Sequence, residues 1–252
     1  ANPTGSNRGA LTVAEFELQR TKIVSAITRL NADVVGLMEI ENNGYGDNSA
    51  IANLVAALNA AQPDETDHYA WVASPDGQPI GTDAITVGLI YRPASVTPEG
   101  AASLIELPVQ QAEAQDASGK PVAIKQGMRE SLLQRFSSPK GDAPLTLVVN
   151  HLKSKGSACF EDYPDYATAD PLDGQGHCNA LRVSAAKVLG ERLKEVSGDL
   201  LLIGDLNAYG MEDPIRVLTD YDPAAQARQI LSASFTTLAG QPYEESGSAL
   251  GK

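Results

Sequence analysis

Two hydrophobic rhythms alternate along the chain. Phe16, Ile23, Ile27 and Leu30 recur at helical spacing behind the capping-box pattern Thr12-Val13-Ala14-Glu15, which predicts a first helix ending near Leu30. The β-rich run 33–39 reads as a buried strand ending in acid, and 47–61 reads as a second helix with Ile51, Leu54, Val55 and Leu58 on its apolar face. From Tyr69 the rhythm shortens. Runs 69–73, 84–91, 132–136 and 145–150 predict strands separated by Pro, Gly and Asp turns, and 100–127 reads as strand plus loop. A third helix is predicted over 179–196, with Leu181, Ala185, Val188, Leu189 and Leu193 facing inward, followed by a strand over 200–203. Asp213-Pro214 starts a short helix, residues 1–10 read as a loop, and periodicity fades after Tyr221. Helix–strand pairs at both ends with many strands between predict an α/β fold of two packed, mainly antiparallel sheets flanked by helices.

Several of these strands finish in one group able to do chemistry. Glu39 ends the first, His151 ends the run 147–150, and Asp205 with Asn207 follows the run 200–203. An extended backbone would turn Asp205 and Asn207 to one face. A carboxylate beside a carboxamide suits a site that binds a cation, orients a water and holds a phosphate oxygen. Taken singly, each has a plain reading: Gly-Asp-x-Asn as turn chemistry, Glu39 as an exposed strand-end carboxylate, His151 as a satisfied histidine. Lys153 and Lys155 cluster beside that histidine.

Composition narrows the picture. With 252 residues, 42% hydrophobic and 20% charged, the chain is globular and long enough for one large core. No apolar run is long enough to cross a bilayer. A net charge of −13 argues against a nucleic-acid binder that relies on charge alone. It leaves room for a nuclease whose metal and local basic groups make an attractive site. The two cysteines, Cys159 and Cys178, flank an irregular stretch, 156–176, that is either functional or pinned. No zinc-ligand spacing surrounds them. A disulfide between them is expected, and with it an exported chain, the alternative being two unrelated buried thiols.

Five motifs then occur in a telling order: Asp33-Val34-Val35-Gly36-Leu37-Met38-Glu39, Tyr91-Arg92-Pro93, Arg129, Asn150-His151-Leu152-Lys153-Ser154 and Gly204-Asp205-Leu206-Asn207-Ala208. On them the chain resembles the endonuclease/exonuclease/phosphatase superfamily, with its deoxyribonuclease I-like fold. It is most similar there to secreted bacterial nucleases, through residues 36–42, 151–159 and 204–208.

The resemblance implies a four-layer α/β sandwich, and Glu39 as metal ligand, with Asp205 sharing the ion: magnesium, or manganese, with calcium a further candidate. It implies His151 on the scissile phosphate, Asp205 and Asn207 orienting the attacking water and contacting the phosphate, and Arg129, Lys153 and Lys155 on the substrate. Asp83 is the carboxylate that would orient His151. The expected reaction is in-line attack of water on a phosphodiester of nucleic acid, DNA ahead of RNA, by an extracellular or periplasmic enzyme with no membrane span and no predicted protein partner. The superfamily also usually opens with an asparagine-bearing strand and closes with an Asp-His pair. Residues 1–11 do not look like that strand, and the one Asp-His here, Asp67-His68, is in the wrong place. The expectation is therefore a single catalytic domain over 1–252 that lacks its first and last strands. Two other readings compete: a phosphodiesterase or phosphatase on phospholipid or inositol phosphate, and a catalytically incomplete nucleic-acid or protein binding module.

Overall fold

A computed structural model describes residues 10–141, 143–163 and 174–220. Its elements run α1 (Val13–Leu30), β1 (Val34–Glu41), α2 (Ala50–Ala60), β2 (Ala70–Trp71), β3 (Ile85–Tyr91), β4 (Thr97–Pro98), β5 (Ser103–Ile105), β6 (Gln110–Gln115) and β7 (Pro121–Gln126). They continue with β8 (Ser131–Ser137), β9 (Leu145–His151), α3 (Asn179–Leu193), β10 (Asp199–Asp205) and α4 (Asp213–Asp220). The capping box at Thr12 forms as expected, with the Thr12 hydroxyl accepting from the Glu15 amide and the Glu15 carboxylate accepting from the Thr12 amide. The helix ends at Asn31 in the left-handed conformation, φ 51°.

Three apolar layers explain the stacking. Ile27 of α1 and Ile51, Leu54, Val55 and Leu58 of α2 pack on Val35, Leu37 and Ile90 of the first sheet, ordered β1-β3-β2. The other face of β3, Val87 and Leu89, meets Leu132, Phe136, Leu147 and Val149 of the second sheet, ordered β10-β9-β8-β4 with β5 also on β8. Val148 and Leu152 then carry Ala185, Leu189 and Leu193 of α3. The result is the expected order of helices, sheet, sheet, helices. Strand β9 is buried on both faces, so its Leu-Thr-Leu-Val-Val run is continuously buried rather than alternating.

All pairings are antiparallel except β9 with β10, which run parallel because α3 forms the crossover between them. The register sets Asn150 opposite Gly204 and His151 opposite Asp205. Gly204 is obligatory there. A Cβ on it would lie 2.0 Å from the Asn150 carbonyl oxygen, and its φ is +124°. Gly36 lies at the sheet-to-sheet contact, where a Cβ would come within 2.5 Å of Ile203 Cδ1 and that side chain would have to shift.

Several predicted bounds shift. The second helix begins at Ala50 because Ser49 caps it, its hydroxyl accepting from the Ala52 amide. The third helix stops at Leu193, and the 69–73 strand pairs only over Ala70–Trp71. The 100–127 stretch resolves into β5 and the β6–β7 hairpin, whose Ala114 and Ile124 are buried. The α1 stripe is only partly covered: Ile27 is buried, while Ile23 and Leu30 stay exposed because α1 packs on one side against α2 and β1. The predicted loop over 1–9 and the weakly periodic residues from 221 on lie outside the described residues.

Gly204→Ala is expected to lower unfolding free energy in urea by at least ~3 kcal/mol, since it combines a backbone clash with an unfavourable φ. Gly210→Ala, which meets nothing within 4 Å, is expected to stay within ~0.5 kcal/mol of wild type.

Candidate active site

The parallel register brings two predicted residues together at the carboxyl ends of β9 and β10. Asp205 Oδ2 lies 4.0 Å from His151 Nε2. Below them Asn150, fully buried, accepts from Ser131 Oγ at 2.6 Å and donates to the carbonyls of Val148 and Ile203. Asp205 and Asn207 are related differently from the extended pattern expected. β10 ends at Asp205, and Asn207 adopts φ 47°. An Asx turn joins them, with the Asn207 amide donating to Asp205 Oδ1 at 2.8 Å. The Asn207 carboxamide donates to the Leu152 carbonyl, and the Leu152 amide donates to the Asp205 carbonyl. Two loops after adjacent strands are thereby stitched together, leaving the Asp205 carboxylate half exposed.

Glu39 reaches the rim by a bulge. Leu37 pairs with Gly88 and Ile40 with Thr86, so one extra residue is accommodated in β1, and Glu39 sits at φ 59°. A non-glycine residue held there is a local strain of the kind concentrated at functional sites. The Glu39 side chain is exposed and makes no hydrogen bond or ion pair among the described residues.

Asp83 departs from expectation. Its carboxylate takes Arg129 Nη2 at 2.9 Å, so it orients the arginine rather than His151, whose Nδ1 is buried without a hydrogen-bond partner. Arg129 itself lies in the loop just before β8. Burial holds the His151 imidazole below its ordinary pKa and Arg129 pushes it the same way, while Asp205, Glu39 and Asp83 pull it back. Lys153 is likewise lowered by burial and then by Arg129, against Asp83. Glu39, Asp83, Arg129 and Asp205 thus share one electrostatic neighbourhood around His151, and Arg129 and Asp83 act on Lys153 as well.

No protein-family model matches this chain, and no curated protein matches it. Similar solved structures include the catalytic domain of human Nocturnin with bound sulfate, at 14% identity over 82% of this chain and 62% of that one, TM-score 0.49. A functionally unknown conserved protein from Enterococcus faecalis gives 15%, 82%, 65% and 0.48. An endonuclease/exonuclease/phosphatase from Bacteroides vulgatus gives 17%, 83%, 65% and 0.47. The chain spans less than two thirds of the length of each.

The remaining predicted residues are engaged structurally. Lys155 Nζ donates to both oxygens of Glu212, at 2.6 and 2.8 Å, and sits 4.4 Å from the Tyr209 ring centroid. Cys159 and Cys178 form the expected disulfide. The bridge closes a separation of 19 residues, a restriction of the unfolded chain amounting to about 3 kcal/mol on the loop-entropy account. Asp162 Oδ2 accepts the backbone amides of both half-cystines, at 2.8 and 2.9 Å, and Oδ1 lies 3.2 Å from His177 Nδ1. Cys159, Asp162 and Cys178 are the one cluster of three or more metal-ligand types found among the described residues, and with both sulfurs in the bridge it is a structural clamp. Arg182, fully buried, donates to the carbonyls of Lys153, Gln175 and His177.

The carboxylates at the rim fit a hard divalent cation. Glu39 and Asp205 offer exposed oxygens, and magnesium is commonly held by one or two carboxylates with water and substrate oxygens completing its shell. Asn42 is the residue sequence reading missed. Its carboxamide donates to the carbonyls of Ile80 and Asp83 and accepts from the Ile80 amide, fixing the loop that carries Asp83 to Arg129. An asparagine just past a strand ending in acid is the faint signal available.

Asn42→Ala is expected to cost ~2 kcal/mol in chemical denaturation, from three lost hydrogen bonds to backbone, two of them part-buried. Asn59→Ala, which breaks two comparable bonds to Tyr69 far from the rim, supplies the reference for a purely structural loss.

Proposed function

We propose that this chain is the catalytic part of a metal-dependent phosphodiester hydrolase, a nuclease acting on DNA ahead of RNA and exported from the cytoplasm. The observation that carries the reading is the buried His151 ring with Asp205, Glu39, Asp83 and Arg129 in its electrostatic field, drawn from separate loops and strand ends. One rim thereby holds carboxylates for a cation, cations for a phosphate and a neutral imidazole between them.

The depressed pKa keeps His151 neutral at pH 7. A proton on Nε2 faces the open rim and leaves Nδ1 as an unpaired acceptor, which costs less than a buried unpaired donor. His151 then donates a hydrogen bond to a phosphate oxygen. Asp205, held through Oδ1 by the Asn207 amide, keeps Oδ2 for an attacking water and its proton. Arg129, aligned by Asp83, and Lys153 supply positive charge for a non-bridging oxygen. Glu39 and Asp205 would hold the divalent ion, which supplies charge opposite the developing phosphate negative charge. The disulfide supports export, since such bridges persist in oxidising compartments.

Supercoiled plasmid, structured RNA and sphingomyelin vesicles, each with magnesium or manganese, test this reading. Plasmid cleavage is expected, reduced at least ~100-fold by His151→Gln and by Asp205→Ala. Magnesium binding by calorimetry is expected to disappear in Glu39→Gln. Turnover of sphingomyelin alone would move the assignment to a lipid phosphodiesterase. A panel on which no substrate reacts, with no ion bound, would leave a binding module.

A further inference from the structure

We propose that Tyr209 is a stacking platform for a nucleobase of a single-stranded segment, set immediately outside the phosphate site. This rests on the nucleic-acid reading above and adds a recognition element to it.

Tyr209 follows Asn207 by two residues, a reach of at most ~7 Å along the backbone. It is 76% exposed, an unusual placement for an aromatic ring, and its hydroxyl makes no hydrogen bond among the described residues. Neither core packing nor a hydrogen bond from its hydroxyl accounts for it. Its position is nevertheless fixed. The Tyr209 amide donates to Glu212 Oε2 at 3.1 Å and the Glu212 amide returns to the Tyr209 carbonyl at 2.9 Å. Lys155, bound through both oxygens of that same Glu212, places its ammonium 4.4 Å from the ring centroid. The loop leaving His151 and the loop leaving Asp205 therefore meet at this ring.

A cation lying against the π-system and a locked backbone remove most of the entropy that ordering a free tyrosine would cost. What remains open to solvent is flat, aromatic and adjacent to a site for phosphate. That pairing suits a nucleotide, whose base stacks while its phosphate reaches Arg129 and His151, and base–aromatic stacking is tolerant of sequence. Phosphate monoesters of sugars or inositol offer this surface no planar π-face. Met211, in the same turn as this aromatic shelf, is 84% exposed.

Binding of fluorescent dT10 is compared with a ten-unit abasic strand of equal charge, by anisotropy at low ionic strength with magnesium. The chain carries Asp205→Asn to prevent turnover. The base-bearing strand is expected to bind about 5- to 100-fold more tightly, the range that stacking of one base supplies. Tyr209→Ala should collapse that ratio to near one, with Tyr209→Phe retaining it and unchanged thermal melting showing that the fold persists. Equal binding of the two strands, absence of binding to either, or an undiminished ratio in Tyr209→Ala overturns the proposal. So does Tyr209-dependent binding to phospholipid vesicles without base dependence, which would make the shelf a lipid contact. Hydrolysis by the otherwise unaltered chain is scored separately. Base-dependent binding through Tyr209 with no cleavage would strike the hydrolase reading and leave the platform standing.

Discussion

The close approach of Gly204 to Asn150 governs the rest. Two parallel strands normally keep their side chains apart, but at this step the β10 backbone leans on the Asn150 carbonyl where a single methyl would collide. Asn150 in turn is fully buried and tied to Ser131 on β8 and to the Ile203 carbonyl on β10. A buried carboxamide with unmatched donors would be costly, so satisfying it fixes three strands in one relative placement. Only in that register does His151 stand opposite Asp205. The catalytic proposal thus depends on a glycine and an asparagine that touch no substrate.

Much of the architecture was legible because the cores are ordinary. Leu58, Leu89, Val149 and Leu189, all fully or almost fully buried, fall on positions that periodicity alone selects. What periodicity could not supply was the pairing of strands with weak patterns. The Gln-Gln-Ala-Glu-Ala-Gln of β6 is nearly all polar, since only Ala114 on that strand is buried, and a half-exposed hairpin imposes little hydrophobic alternation. The α1 stripe misled in the opposite direction. Its spacing is helical, but a helix that packs along one side leaves part of any such stripe uncovered.

The site divided differently. Glu39, His151 and Asp205 could be named from the sequence because each ends an apolar run. Their geometry could not, since it comes from departures from regular structure. A one-residue bulge re-aims Glu39, an Asx turn replaces the extended relation of Asp205 with Asn207, and Asp83 turns to Arg129 instead of His151. Such features arise from backbone conformations that an alternating pattern does not encode. Asn42 and Asp162 were hard to see for a related reason: each binds backbone groups of a segment well along the chain, and nothing in the local sequence of either announces that partner.

Electrostatics reconcile an acidic molecule with the anionic substrate proposed for it. The chain carries a net −13, yet the rim holds two cations, Arg129 and Lys153: burial and then Arg129 lower the Lys153 ammonium, and Asp83 pulls it back. Asp83 acts on both, as the ion-pair partner of Arg129 and through its pull on Lys153. Lys155 shows the contrast, since Glu212 neutralises it fully and it serves the loop instead. At physiological ionic strength the remote carboxylates are screened beyond a Debye length of about 8 Å, while these local cations act at contact distance. The general acidity therefore limits long-range attraction without cancelling the site. On the function proposed above, a phosphate between Arg129 and Lys153 would lessen the repulsion that Arg129 exerts on Lys153.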